Sequence, residues 1–151
     1  MKRSLSIVAG SLAAIGGLLL GANPASALVT DGADPQTSGC SADAYNVASW
    51  PAYDNAGVYK ANIELRYSPK CGTNWVRVTQ QDAAYKMTSS IRLDIPNGTY
   101  GPGTFARGVG NGYAYWWTGM VKAPGSTCVL IDASGNNAYF QTLNWTTKRV
   151  C

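Results

Sequence analysis

Four cysteines set the tightest bound on what this chain can fold into. Cys40, Cys71, Cys128 and Cys151 stand tens of residues apart, so none belongs to the close C-x-x-C pairs that a structural metal site uses. An even count in a small domain that carries an export signal reads as two disulfides, and four cysteines allow three pairings. Cys40–Cys71 with Cys128–Cys151 is favoured, because each bridge then closes a modest loop around neighbouring strands; the other two pairings stay open at this level. Each bridge restricts the unfolded chain and contributes about 2–4 kcal/mol.

The export signal lies at the N-terminus. Lys2 and Arg3 precede an uncharged apolar run from Leu5 to Gly21, followed by Pro24 and the small-residue triplet Ala25-Ser26-Ala27. That is the grammar of a secretory signal peptide over residues 1–27, cleaved after Ala27. The run is too short and glycine-rich for a comfortable membrane span, which takes roughly 20 apolar residues. Cleavage takes two of the twelve basic residues and lowers the net charge from +4 to +2. A charge that small, without a basic run, argues against nucleic acid as a partner. No second apolar stretch is long enough to span a membrane. The expected location is extracellular, with no membrane span after cleavage.

What remains is one domain's length of chain. Residues 28–39 (LVTDGADPQTSG) are polar and turn-prone after their first two positions and read as an extended N-terminal arm. Residues 40–151 read as a disulfide-stapled β domain, rich in short Tyr, Trp, Val, Ile and Thr runs punctuated by Gly, Pro and Asn. Strands are expected over Ala44–Trp50, ended by Pro51, and over Val58–Ser68, where Ile63, Leu65 and Tyr67 alternate with Glu64 and Arg66. Asn74–Thr79 returns as the hairpin partner of the latter. Further strands are expected in Ala84–Ile95, Tyr113–Val121, Thr127–Asp132 and Ala138–Leu143, with a glycine-rich loop over Asn97–Gly112. The fold class is all-β, a small antiparallel β-barrel or sandwich of about seven or eight short strands.

The chain has no histidine. That removes the usual general base, the Ser-His-Asp triad and histidine metal sites. Glu64 is the one glutamate, so no pair of glutamates is available for glycosidase chemistry; it is expected to form a surface ion pair with Arg77. Asp31, Asp34 and Asp43 fit no calcium-loop spacing and read as turn and capping residues. No enzyme activity, cofactor or metal is expected. Binding surfaces are more promising. Alternation puts Trp75 and Arg77 opposite Val76 and Val78; with the valines in the core, Trp75 and Arg77 face outward beside Arg66, an interface-like combination. Tyr113, Tyr115 and Trp117 share one strand face and Trp116 lies on the other; their planes also suit a glycan. The arm, with Leu28 and Val29 at its tip and Asp34 and Pro35 along it, could add to a partner's sheet or lie in its cleft.

The segment Glu64–Val78 (ELRYSPKCGTNWVRV) resembles the signature of the YjfA-like family, small exported proteins of Gram-positive bacteria. Asp34–Ala44 and Trp117–Val121 fit the same resemblance. It implies export, two disulfides and a compact β fold, with no established catalytic residues, and a place as a small subunit in a secreted toxin complex. The leading expectation is a non-enzymatic adaptor that engages protein partners in an extracellular complex through Leu28, Val29, Asp34, Pro35, Arg66, Trp75 and Arg77. A glycan- or cell-wall-binding module and a protease inhibitor using the Asn97–Gly112 loop are the alternatives.

Intact-mass measurement of the protein recovered from culture medium should give a chain beginning at Leu28 with two disulfides and no titratable thiol. A free thiol in the folded, exported form would overturn the cysteine reading.

Overall fold

A computed structural model of the chain describes residues 31–82, 85–95, 105–110, 114–137 and 142–151. Among these residues there are ten strands and one 3-10 turn, Cys40–Ala42. The strands are β1 (Tyr45–Asp54), β2 (Tyr59–Ser68), β3 (Thr73–Gln80), β4 (Lys86–Leu93), β5 (Phe105–Gly110), β6 (Tyr115–Trp117), β7 (Val121–Lys122), β8 (Val129–Asn136), β9 (Leu143–Asn144) and β10 (Lys148–Val150). They form two antiparallel sheets that share one core and do not close into a barrel. The larger runs β6-β3-β2-β1-β9, with β7 also on β3; the smaller runs β10-β8-β4-β5.

The β2–β3 hairpin shows why these residues make strands. Its register pairs Ile63 with Val78 and Leu65 with Val76, and pairs Glu64 with Arg77 and Arg66 with Trp75. Side chains alternate across a strand, so the first set faces the second sheet and the other set faces away from it. Ile63, Leu65, Val76 and Val78 pack in one cluster with Met87, Ile91, Val129 and Ile131 of the smaller sheet. All eight are at most 2% exposed.

Departures from the expected strands have local causes. β1 does not stop at Pro51. Among the described residues only β9 lies beyond β1, paired at Tyr53 and Asp54, so at Pro51 that side of β1 has no ladder for a proline to break. The expected Tyr113–Val121 strand is split into β6 and β7, both on β3. Between them Thr118 N donates to Val76 O at 2.9 Å, while Val76 N donates to the Thr118 hydroxyl oxygen at 3.1 Å. Part of the glycine-rich stretch is not a loop at all but β5, paired with β4. A Cβ at Gly110 would stand 2.0 Å from Trp116 Nε1, so glycine is what lets this strand pass close under the indole. Residues 97–104 lie outside the described residues, as do Tyr113 and residues 138–141.

The bridges are Cys40–Cys71 and Cys128–Cys151, the favoured pairing. The first ties the 3-10 turn to the β2–β3 connection, and the second ties the strand entry at β8 to the end of β10. Replacing Cys40 and Cys71 together by alanine should lower stability by about 2–5 kcal/mol, read by chemical denaturation. A loss well under 1 kcal/mol would mean that the chain around Cys40 holds its place without the bridge.

Candidate functional site

The face of the larger sheet that looks away from the second sheet gathers most of the residues singled out in the sequence. Arg77 lies in register with Glu64 on one side and with Trp117 on the other, and Thr79 with Tyr115. Arg77 Nε donates to Glu64 Oε2 at 2.5 Å, the ion pair expected from strand pairing. Glu64 is only 9% exposed. The Arg77 guanidinium also sits 5.8 Å from the centre of the Tyr115 ring, within cation–π range. Tyr115 in turn meets Trp117 edge-on, centroids 5.6 Å apart. Arg66 Nη2 donates to Ala44 O at 2.7 Å.

The two arginines are tuned in opposite directions. The Glu64 bond holds the Arg77 pKa above its ordinary value. Partial burial, and then the charge of Arg77, push Arg66 down. Both remain cations, with Arg77 beside an exposed tyrosine and in register with a half-buried tryptophan of β6. Planar donors on β2 and β3 thus stand beside aromatic rings on β6, residue types enriched at protein interfaces.

One end of this face is roofed, which corrects two expectations. Trp75 does point away from the core valines, but it is 3% exposed. Cys40 and Met120 bury it, with Ala33, Ala44, Cys71 and Trp117 packed alongside. Alternation says which side of a sheet a residue takes; it does not say whether a second layer covers that side. The roof is the segment expected as an outreaching arm. Gly32 N donates to Met120 O at 2.7 Å and Met120 N donates to Ala33 O at 2.9 Å. The Asp31 carboxylate accepts from Lys122 N. Residues 31–39 are therefore part of the domain's own fold.

Asp34 and Pro35 serve that roof. Asp34 Oδ1 accepts from Gln36 N at 2.7 Å and Thr37 N at 3.0 Å, closing a turn, and its Oδ2 accepts from Trp117 Nε1 at 2.9 Å. Pro35 is buried, and its carbonyl accepts from Ser41 N at 2.9 Å. Asp43 pins the roof from below, accepting from Ser68 Oγ at 2.6 Å and Lys70 N at 2.8 Å. Asp34 thus has the turn role read from the sequence, whereas Asp31 and Asp43 bond across the fold, to Lys122 N and to Ser68 Oγ and Lys70 N. Leu28 and Val29 lie outside the described residues. The structure brings Asp34, Arg66, Trp75 and Arg77 to one face and adds Tyr115 and Trp117. Their shared strand face was legible; their meeting with Arg77 was not, because the sequence does not state that β6 pairs with β3.

Asp34 gives this assembly a pH signature. Partial burial pushes its carboxyl up, but the Thr37 N–H, the Trp117 indole and the Gln36 N–H outweigh it, and the pKa falls below its ordinary value. A folded pKa below the unfolded value of about 3.9 stabilises the fold above that pH, and the contribution is lost as pH falls through the folded value. Asp34→Asn should therefore lower the melting temperature at neutral pH, with the gap to the parent narrowing below about pH 4. A gap that stayed constant into acid would show that the charge of Asp34 is not what matters.

No curated protein and no solved structure matches this chain. A family profile described as Protein of unknown function (DUF2690) matches residues 29–129. The matched stretch takes in the roof, the Cys40–Cys71 bridge, the hairpin carrying Arg66 and Arg77, and the strand carrying Tyr115 and Trp117. With well over half its length inside that match, the chain belongs to the DUF2690 family.

Proposed function

We propose that this protein is an exported, non-catalytic adaptor, a small subunit of an extracellular protein assembly. The observation that carries the reading is the outer face of the larger sheet, where Arg77 is held between Glu64 and an exposed Tyr115. Arginine and aromatic residues presented on a rigid support are the usual anchors of protein interfaces. Export after Ala27 is supported by the signal-like N-terminus and by two formed disulfides, which suit an oxidising compartment. The resemblance of Glu64–Val78 to YjfA-like proteins of Gram-positive bacteria agrees with both, and favours a toxin complex as the assembly.

A non-catalytic role is supported by what happens to the one glutamate. Glu64 is nearly buried and engaged by Arg77, and no histidine exists to act as a base. The N-terminal tip belongs to the same contact surface. Asp31 is bonded to Lys122, and the apolar pair Leu28 and Val29 precedes it in the sequence, as an anchor that would extend the contact the roof begins.

The test is native sizing of the protein in the medium that it is exported into. The parent should elute in a complex well above its monomer mass. Tyr115→Glu, and separately a chain starting at Asp31, should keep the parent's melting temperature and shift to the monomer position. A parent that runs as a free monomer in that medium, or variants that stay in the complex, would overturn the proposal.

A further inference from the structure

A second feature lies at the end of the sandwich, away from the Arg77 face. There β1 and β2 of one sheet diverge from β8 and β10 of the other and leave a groove of about 170 Å³. Tyr45, Val47 and Tyr67 form its wall on the larger sheet and Val150 the opposite wall, with Asn74 and Thr127 as polar members. Tyr45 and Tyr67 stand edge to face with centroids 5.8 Å apart. Tyr45 is 52% exposed and Val47 41%. Val47 reaches the rim because it is the extra residue of a bulge: Asn46 pairs with Arg66 and Ala48 with Leu65, leaving Val47 without a partner across β2.

Asn74 is the informative member. It is 6% exposed, and its Nδ2 donates to Ala123 O at 2.9 Å. Its Oδ1 accepts no bond from any described residue and is not sealed from solvent. An amide oxygen that takes no bond from the described protein, on a residue that lines the groove, is free to accept one from a ligand. Among the described residues that line the groove no side chain is charged, so no cationic side chain is there to hold an anionic ligand. The volume lies below the range usual for drug-sized ligands and suits one ring.

We propose that this groove is a binding site for a single ring of a neutral saccharide. A pyranose matches all three features at once. Its C–H face covers a tyrosine ring, its hydroxyls donate to Asn74 Oδ1 and reach the Thr127 hydroxyl, and it carries no charge. Tyrosine suits the rim because its body is apolar and its tip is wet.

Saturation-transfer NMR on the exported, disulfide-intact protein tests this, with cellotetraose, chitotetraose and maltotetraose as probes and a proline-rich peptide as the competing class. At least one tetrasaccharide should show transfer with a Kd of about 1 mM or tighter. Tyr45→Ala, at an exposed position, should weaken it about tenfold or more. Val47→Arg should do the same by filling the rim. Tyr59→Ala, at an exposed tyrosine outside the groove lining, should leave it unchanged. No transfer from any of the three sugars, transfer indifferent to both groove variants, or binding of the peptide alone would overturn the proposal. None of these results depends on whether Tyr115 and the N-terminal tip contact a protein partner.

Discussion

The exchange of bonds between Thr118 and Val76 governs how the rest of the larger sheet is completed. In a regular ladder the Val76 N–H would bond a backbone carbonyl on the neighbouring strand; here the Thr118 hydroxyl takes it, while Thr118 N answers to Val76 O. Thr118 is fully buried, so the substitution leaves no polar group orphaned. Beyond it Gly119 and Met120 leave β3, and in that interval Met120 turns its backbone to Gly32 and Ala33. The roof over Trp75, and hence the boundary of the Arg77 patch, follows from one side chain standing in for a backbone group.

Polar groups are also paired inside the core, and there the satisfaction is uneven. Trp116 Nε1 donates to Gln80 Oε1 at 2.8 Å, and Gln80 Nε2 donates to Tyr85 O at 2.5 Å and Asp82 O at 3.0 Å. That chain is complete. Nearby, Asp54 and Lys60 form a buried pair at 3.3 Å. Asp54 Oδ1 accepts from Ala56 N and Val58 N, both at 2.9 Å, while Oδ2 has only the ammonium beside it. Burial pushes the Asp54 carboxyl up, but the Val58 N–H, Lys60 and the Ala56 N–H bring it below its ordinary value. The carboxylate stays charged because the tight turn between β1 and β2 aims two backbone donors at it. Lys60 gains a second support from the Tyr85 ring, 5.3 Å away.

How far the sequence reached depended on the range of the interaction. The hairpin Tyr59–Gln80 was legible because the period-two pattern of Ile63, Leu65, Val76 and Val78 and the connection at Pro69–Thr73 are local. Both disulfide pairings were favoured for the same reason, since each closes a short loop. β5 was hidden because Gly108 and Gly110 read as loop residues, and only their approach to Trp116 explains them as strand. β10 was hidden because three residues, Lys148–Val150, carry no pattern of their own and are held by β8 and the Cys128–Cys151 bridge. Trp75 shows the same limit within the site: its side of the sheet was read correctly, and its covering layer came from residues some forty positions away on either side.

The outer edge of the larger sheet bears on how this protein behaves among many copies of itself. From Tyr45 to Ala52, β1 has a partner on one side only among the described residues. Such a strip of open backbone invites a second chain to zip alongside it. Here the strip is interrupted twice within a few residues, by the bulge at Val47 and by Pro51, which has no proton to offer. An incoming strand would lose its rhythm of bonds before it had gained a stable length. In a crowded solution, those two irregularities let each molecule keep an unfinished sheet without becoming the seed of a fibre.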